Sequence, residues 1–515
     1  MPRISILVWM LVVGVSTAAA ADRSVRSDRH IVLVVWDGMR PDMVTEQNTP
    51  VLWHLRQQGV VFQRHHPVYL SATNVNGVAL ATGMYPAHSG LIANHDFRPD
   101  IDPLKSVDVE DPKVVRRGDE LTHGKYIASP TLAELVQKAG GRTAVAASKT
   151  VGLLHDRGAT GAERNGSVTL SAGNTLPNEF VFAVTRALGA FPRGHLDRDA
   201  WTTRALTDLL WNDAVPAFSV LWLGEPDLTQ HESAPGSPSA LAAVRSSDHN
   251  LGAVMAALEA HHVRDSTDVV VVSDHGFSTI QRQVDLPNIL AGAGFNVSTE
   301  FKQQPKPGEV MMVGGGGTVL FYVVQHDRPA LQRLVEFLQK SDFAGVIFTR
   351  EPIDGTFRLG DAQINSAAAP DAVMAFRWID QPNQYGVRGM IDADWQRSAG
   401  KGTHATLSAF DMHNTMVAAG PDFRQGWADD LPSGNVDVAP TILELLGIAR
   451  PVGMDGRVLT EALARGAAAP EKAVPSQAEA DRGFPGGNWH QWLHTTSVGR
   501  TVYLDEGNGS FTPAR

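Results

Sequence analysis

Four separated fragments of the chain carry Asp or His in positions suited to chemistry. They are WDGMR with Asp37, EPDLTQH with Asp227 and His231, SDHGF with Asp274 and His275, and GTHAT with His404. Each follows an apolar run or sits in a Gly-flanked loop. Asp carboxylates and neutral imidazoles are good ligands for zinc and related divalent ions. Three Asp and three His are enough for two adjacent sites. Two such metals can clamp both the attacking and the leaving oxygen of an in-line displacement at phosphorus. Taken singly, each fragment also has an ordinary reading. Asp37 can cap a helix after a strand. Asp227 and His231 can share one face of a helix. Asp274 with His275 can be a turn, and His404 a structural histidine. Their joint occurrence at strand ends is what favours the metal reading.

The elements that must position these residues are legible in the same stretches. HIVLVVWDGMRPD is an apolar, β-branched run ending in a polar turn, and it predicts a buried strand feeding a loop. The same form recurs in RTAVAASK (142–149), AFSVLWLGEPD (217–227) and DVVVVSDHG (268–276). Helical patterns lie between them: TPVLWHLRQQG, SPTLAELVQKAGG and residues 239–260. Buried strands alternating with helices predict an α/β fold, a mostly parallel sheet sandwiched by helices. Ligands bind beyond the carboxyl ends of such strands, where Asp37, Lys149, Asp227 and Asp274 fall.

Residues 278–400 differ in character. GTVLFYVVQHDRPALQRLVEFLQKSDFAGVIFTR reads strand, helix, strand between Gly- and Pro-rich flanks, and predicts a small α+β insertion capping the core. The core is expected over 28–277 and 401–465, with a capped helix at VDVAPTILELLGI. A tail over 466–515 is Ala/Pro/Gly-rich and then aromatic at NWHQWLH, with no function assigned to it.

The chain has 515 residues and a formal net charge of −11, without a dense Lys/Arg run. That argues against nucleic-acid binding. It does not oppose a small phosphorylated substrate, because divalent metals dominate the local field. The absence of cysteine removes thiolate metal sites and cysteine nucleophiles. Residues 1–21 read as a signal peptide: Arg3, the apolar run ISILVWMLVVGV and a small-residue cleavage region. The expectation is an exported protein, periplasmic or secreted, with no stable membrane span after cleavage. The sequence leaves the oligomeric state open.

The stretch SATNVNGVALATGMYPAHSGLIANH resembles the alkaline phosphatase superfamily, nearest its type I phosphodiesterase/nucleotide pyrophosphatase branch. Thr82–Gly83, Pro86, His88, Gly90 and Asn94 follow the family's order, with one residue more than usual between His88 and Gly90. The resemblance covers about His30 to Asn94, the strands up to Gly276, and Thr403 to about Gly456. It implies an alkaline phosphatase-like fold and two divalent metals, zinc by preference. It implies that Thr73 is the nucleophile, forming a phospho-threonine intermediate. Asp37, Asp274 and His275 match the ligands of the metal that activates Thr73, and Asp227, His231 and His404 those of the second. Asn94 matches a donor to a non-bridging phosphoryl oxygen.

Substrate class follows less directly. Nucleotide-cleaving members commonly place an aromatic or bulky apolar residue after the nucleophile, whereas this chain has Asn74. Lys149 closes a strand where related monoesterases and phosphonoacetate hydrolases also carry Lys, but their second basic residue is Val151 here. Phosphodiester or pyrophosphate cleavage is the first expectation. Monoester or phosphonoacetate hydrolysis, with Lys149 reading substrate charge, is the alternative. A sulfatase is disfavoured without a cysteine-derived nucleophile. A non-catalytic binding protein on the same fold is disfavoured because Thr73 and all six ligand positions are kept. Asn76, Asp248, His88 and His95 are read as structural or rim residues.

Overall fold

His30–Trp36 is the middle strand of a nine-stranded sheet, and its residues alternate between two hydrophobic layers. Ile31, Leu33 and Val35 join a cluster with Val78, Leu80, Ile442 and Leu443. Val32, Val34 and Trp36 join another with Leu52, Leu55, Leu251 and Val254. A strand buried on both faces needs apolar residues at every position, and β-branched side chains fit the pleat.

The computed structural model describes residues 25–26, 28–158, 164–466 and 472–514. The apolar leader 1–21 lies outside the described residues. Among those described, no helix is long and apolar enough to cross a membrane.

The four strands expected from sequence are neighbours at the centre of a nine-stranded sheet. Their order is Thr267–Val272, His30–Trp36, Phe218–Leu223, Thr143–Ala147, all parallel. Val168–Ser171 continues the parallel run, followed by antiparallel Asn174–Leu176. On the other side Met416–Ala419 runs antiparallel to Thr267–Val272 and to Val60–Phe62. Trp36 pairs with Leu223 and Val35 with Val272, so these strands end on nearly one line. Helices cover both faces, including Thr73–Thr82 and Val438–Leu446 on one and Pro50–Gln58 and Pro238–Ala260 on the other.

Asp248 acts across this second layer. Its carboxylate accepts from the backbone N–H of Val51 at 3.0 Å and of Leu52 at 2.9 Å. It therefore caps the helix Pro50–Gln58, whose own N-cap Thr49 makes no side-chain cap bond. Asp248→Ala is expected to lower unfolding free energy by about 1–2 kcal/mol, the usual worth of a cap. An unchanged urea midpoint would contradict this.

Residues 278–400 contain all of a second, six-stranded sheet. The strands Val297–Ser298, Val310–Gly314, Thr318–Val323, Ala372–Phe376, Ala344–Thr349 and Phe357–Arg358 lie in that order. Arg328–Gln339 packs on one face through Leu331, Leu334 and Leu338. The other face, through Leu320, Val346 and Phe348, meets Tyr69, Val75 and Ala79. The helix Thr73–Thr82 is thus held between two cores, and all ten of its residues are buried.

The tail has more structure than the sequence led us to expect. Ala473–Phe484, Gly487–Val498 and Thr501–Pro513 form a three-stranded antiparallel sheet. The alternation in NWHQWLH is its signature, since Trp489, Gln491 and Leu493 are buried while their neighbours are not. Gln491 accepts from the backbone N–H of Ile347 at 2.8 Å and so docks the sheet on Ala344–Thr349.

Candidate active site

Asp37 follows its strand directly, and the chain turns at Gly38 with φ +70°. A Cβ at Gly38 would stand 2.9 Å from the Phe277 ring and 3.1 Å from Cβ of Asp227, so the close turn requires glycine. Asp227 opens the helix Asp227–Glu232, and its N–H donates to the Asp37 carbonyl at 3.0 Å. Asp274 and His275 follow Thr267–Val272. His404 follows Gly402–Thr403, a short strand paired with Ser278–Thr279 just past His275. Thr73 is the first residue of its helix, where the N-terminal dipole favours negative charge.

The structure brings all of these together. Asp37, Asp274 and His275 offer ligand atoms within 4.8 Å of one another, and so do Asp227, His275 and His404. His275 lies between the two groups, and its ring stacks on His404 at 3.7 Å. His231 reaches the second group from the side, with Nε2 3.1 Å from Asp227 Oδ1. Thr73 Oγ1 lies 3.4 Å from Asp37 Oδ1, from His275 Nε2 and from Lys149 Nζ.

The histidines test whether cations fit here. Nδ1 contacts the Gly402 carbonyl at 3.0 Å in His231, the Gly276 carbonyl at 2.9 Å in His275 and the Ser71 carbonyl at 2.7 Å in His404. A carbonyl only accepts, so each Nδ1 carries the proton. Burial keeps His231 below its ordinary pKa; burial and the charge of His275 keep His404 well below it. In these two neutral rings the Nε2 lone pair then faces Asp227 Oδ1, at 3.1 Å from His231 and 3.6 Å from His404. That oxygen and Asp274 Oδ2 are buried without a hydrogen-bond partner. Lone pairs facing lone pairs in a buried site repel unless a cation sits between them. The donor set therefore fits divalent metal ions of the zinc type.

Burial and the Asp274 carboxylate raise the Asp37 carboxyl well above the ordinary range, and burial lifts Asp274 to about 6.

Lys149 reaches into the site from the end of its strand. Its ammonium donates to Asp37 Oδ2 at 2.8 Å and to Asp227 Oδ2 at 3.2 Å. Asp37 Oδ2 also accepts from Trp222 Nε1 at 2.9 Å. Both carboxylates thus turn Oδ1 toward the histidines and Oδ2 toward Lys149. Asn94 accepts from the Asn74 N–H through Oδ1 at 2.8 Å, which orients its amide and leaves Nδ2 as the donor. Asn76 is a structural clasp: it accepts from the Val68 N–H and donates to the carbonyls of Val68, Leu70 and Ala72. His88 pairs with Asp455 at 2.8 Å, and His95 is exposed. Sequence reasoning missed Trp222 and the three carbonyls that orient the histidines. The burial of every residue in FSVLWL was the available hint for Trp222.

Known proteins share this arrangement of chain. Murine ectonucleotide pyrophosphatase/phosphodiesterase 5 superposes with a TM-score of 0.59 at 18% identity, over 85% of this chain and all of that one. In sequence, family member 7 from human is 22% identical over 89% of this chain and 88% of its own length. Bis(5'-adenosyl)-triphosphatase enpp4 of Xenopus laevis is 25% identical over 48% of this chain, which spans about half (47%) of that relative. Residues 31–365, more than half of the chain, match the family model described as type I phosphodiesterase/nucleotide pyrophosphatase. The chain therefore belongs to the type I phosphodiesterase/nucleotide pyrophosphatase family, hydrolases of phosphoric ester bonds.

Proposed function

We propose that this chain hydrolyses phosphodiester or pyrophosphate bonds in a small phosphorylated substrate, through a phospho-Thr73 intermediate. The observation that carries this reading is the paired lone-pair geometry of His231 and His404 against Asp227, with Thr73 Oγ1 3.4 Å from both Asp37 and His275. Asp37, Asp274, His275 and Thr73 would hold one divalent ion, and Asp227, His231 and His404 the other. Such ions, zinc by preference, supply Lewis-acid activation of oxygen and charge neutralisation.

The chain's own residues do the rest. Thr73 Oγ1 loses its proton and forms a bond to phosphorus while the bond to the leaving oxygen breaks. Water then attacks phosphorus from the face opposite Thr73, which the leaving group has vacated. The bond from phosphorus to Thr73 Oγ1 breaks, a proton from the water restores the hydroxyl, and the phosphomonoester product leaves. Asn94 Nδ2 donates to a non-bridging oxygen as charge grows there; removing one such donor typically costs about 10²–10³ in kcat. The N-terminus of Thr73–Thr82 adds a favourable dipole. A neighbouring structure supports the nucleophile: a threonine-to-alanine variant of murine family member 5, described as inactive, is in complex with AMP. The proposed zinc ions and export to the periplasm or beyond belong to the same reading. The test is a purified preparation assayed on a dinucleotide, a diester, a monoester and phosphonoacetate. No turnover of any of them with zinc restored would refute the proposal.

The geometry also supports an orienting role for Lys149. Its ammonium donates to two carboxylates and stands 3.4 Å from Thr73 Oγ1, so it holds Asp37 and Asp227 in place. Lys149→Ala is expected to reduce diester and monoester turnover by the same factor, about 10-fold or more. A loss confined to monoesters would restore the substrate-charge role.

A further inference from the structure

A third group of metal-type ligands lies outside the active site and shares no residue with it: His66, His413 and Asp505, whose ligand atoms all lie within 4.8 Å of one another. Three separate parts of the chain supply them. His66 stands on the two-residue strand His65–His66, paired with Ser433–Gly434. His413 follows the loop that begins at His404. Asp505 comes from the last strand of the C-terminal sheet.

The placement of Asp505 is specific. His494 pairs with Glu506 and Thr495 with Leu504, so Asp505 is the extra residue of a β-bulge with no partner across the ladder. A bulge re-aims one side chain out of the strand alternation. Here it sends the Asp505 carboxylate to His66, with Oδ1 3.0 Å from His66 Nε2.

The ring nitrogens repeat the pattern of the active site. His66 Nδ1 contacts the Ser433 carbonyl at 3.0 Å, and His413 Nδ1 the Ala409 carbonyl at 2.8 Å. Each Nδ1 is therefore a donor, and Nε2 is the nitrogen left to ligate. In both rings the nitrogen not committed to a carbonyl is therefore Nε2. A proton on His66 would satisfy the contact with Asp505 but would not engage His413. One divalent cation satisfies all three. The group opens onto a solvent-facing cavity of about 560 Å³, also lined by His494 and Glu506, which gives an ion a way in. Arg64, 42% exposed, stands 3.5 Å from the same Asp505 oxygen and donates to Thr496 Oγ1 at 3.2 Å.

We infer that His66, His413 and Asp505 form a third divalent-cation site, of the zinc class, which clasps the C-terminal sheet to the core. Two imidazoles and one carboxylate suit zinc, with water completing the shell.

The experiment counts bound zinc by mass spectrometry after equilibration in buffered micromolar zinc. In an Asp274→Ala/His404→Ala background, which cripples both active-site groups, one zinc per chain is expected. Adding His413→Phe, which keeps a ring but removes the ligand, is expected to bring the count to zero. A background protein that holds no zinc, or one that keeps it after His413→Phe, overturns the inference and leaves a His66–Asp505 ion pair. Should that background fail to fold, the same difference is read between the wild-type chain and His413→Phe. One zinc fewer supports the site, and an equal count overturns it. Loss of active-site metal alone does not change these differences, so this inference and the phosphohydrolase reading fail separately.

Discussion

Thr73→Ala is expected to reduce turnover of phosphodiester and pyrophosphate substrates by about four orders of magnitude or more, as loss of a nucleophile does elsewhere. The substitution removes the proposed attacking atom, Oγ1, which lies 3.4 Å from Asp37, His275 and Lys149 alike. It leaves the six Asp and His side chains untouched, so metal content should stay at the wild-type level. Thr73→Ser keeps a hydroxyl and should retain measurable activity. Near-normal rates in Thr73→Ala would assign the attack to another group. Equal loss of metal would make Thr73 a structural ligand, with its catalytic part unproven.

Removing the metals is expected to have a comparable effect on rate and an additional one on stability. Dialysis against a chelator should bring activity to background, and zinc should restore it. Without cations, Asp37 and Asp274 are buried together, and the lone pairs of His231 and His404 face Asp227. A ligand bound only by the native state stabilises it by about 4 kcal/mol when present at 1,000 times its Kd. The melting temperature of the chelated protein should therefore fall well below that of the zinc-loaded protein. Full activity in a preparation shown to hold only trace metal would defeat the two-metal reading.

How much of this was legible in sequence depended on the kind of contact. The four central strands were visible because a sheet covered on both faces demands unbroken β-branched runs, as in VLVVW and VVVV. Asp37, Asp227 and Asp274 were visible because the turn beyond such a strand is where polar side chains escape the core. The orientation of the histidines was not visible. It depends on the carbonyls of Ser71, Gly276 and Gly402, and every residue has a carbonyl. Lys149 was placed at the right strand end, but its partners lie across the sheet on two other strand ends, Asp37 and Asp227. The C-terminal sheet was hidden because its first strand, AVPSQAEADRGF, is largely exposed and carries little apolar pattern.

The helix Thr73–Thr82 is packed on one side against the central sheet through Val78 and Leu80, and on the other against the inserted sheet through Val75 and Ala79. A nucleophile mounted in this way is a fixed anvil: the phosphorus has to be carried to it. Variety in what is cleaved must then be absorbed by the rim around the helix, not by the helix. A search for altered substrate preference should randomise that rim, because changes within the helix would loosen two cores at once.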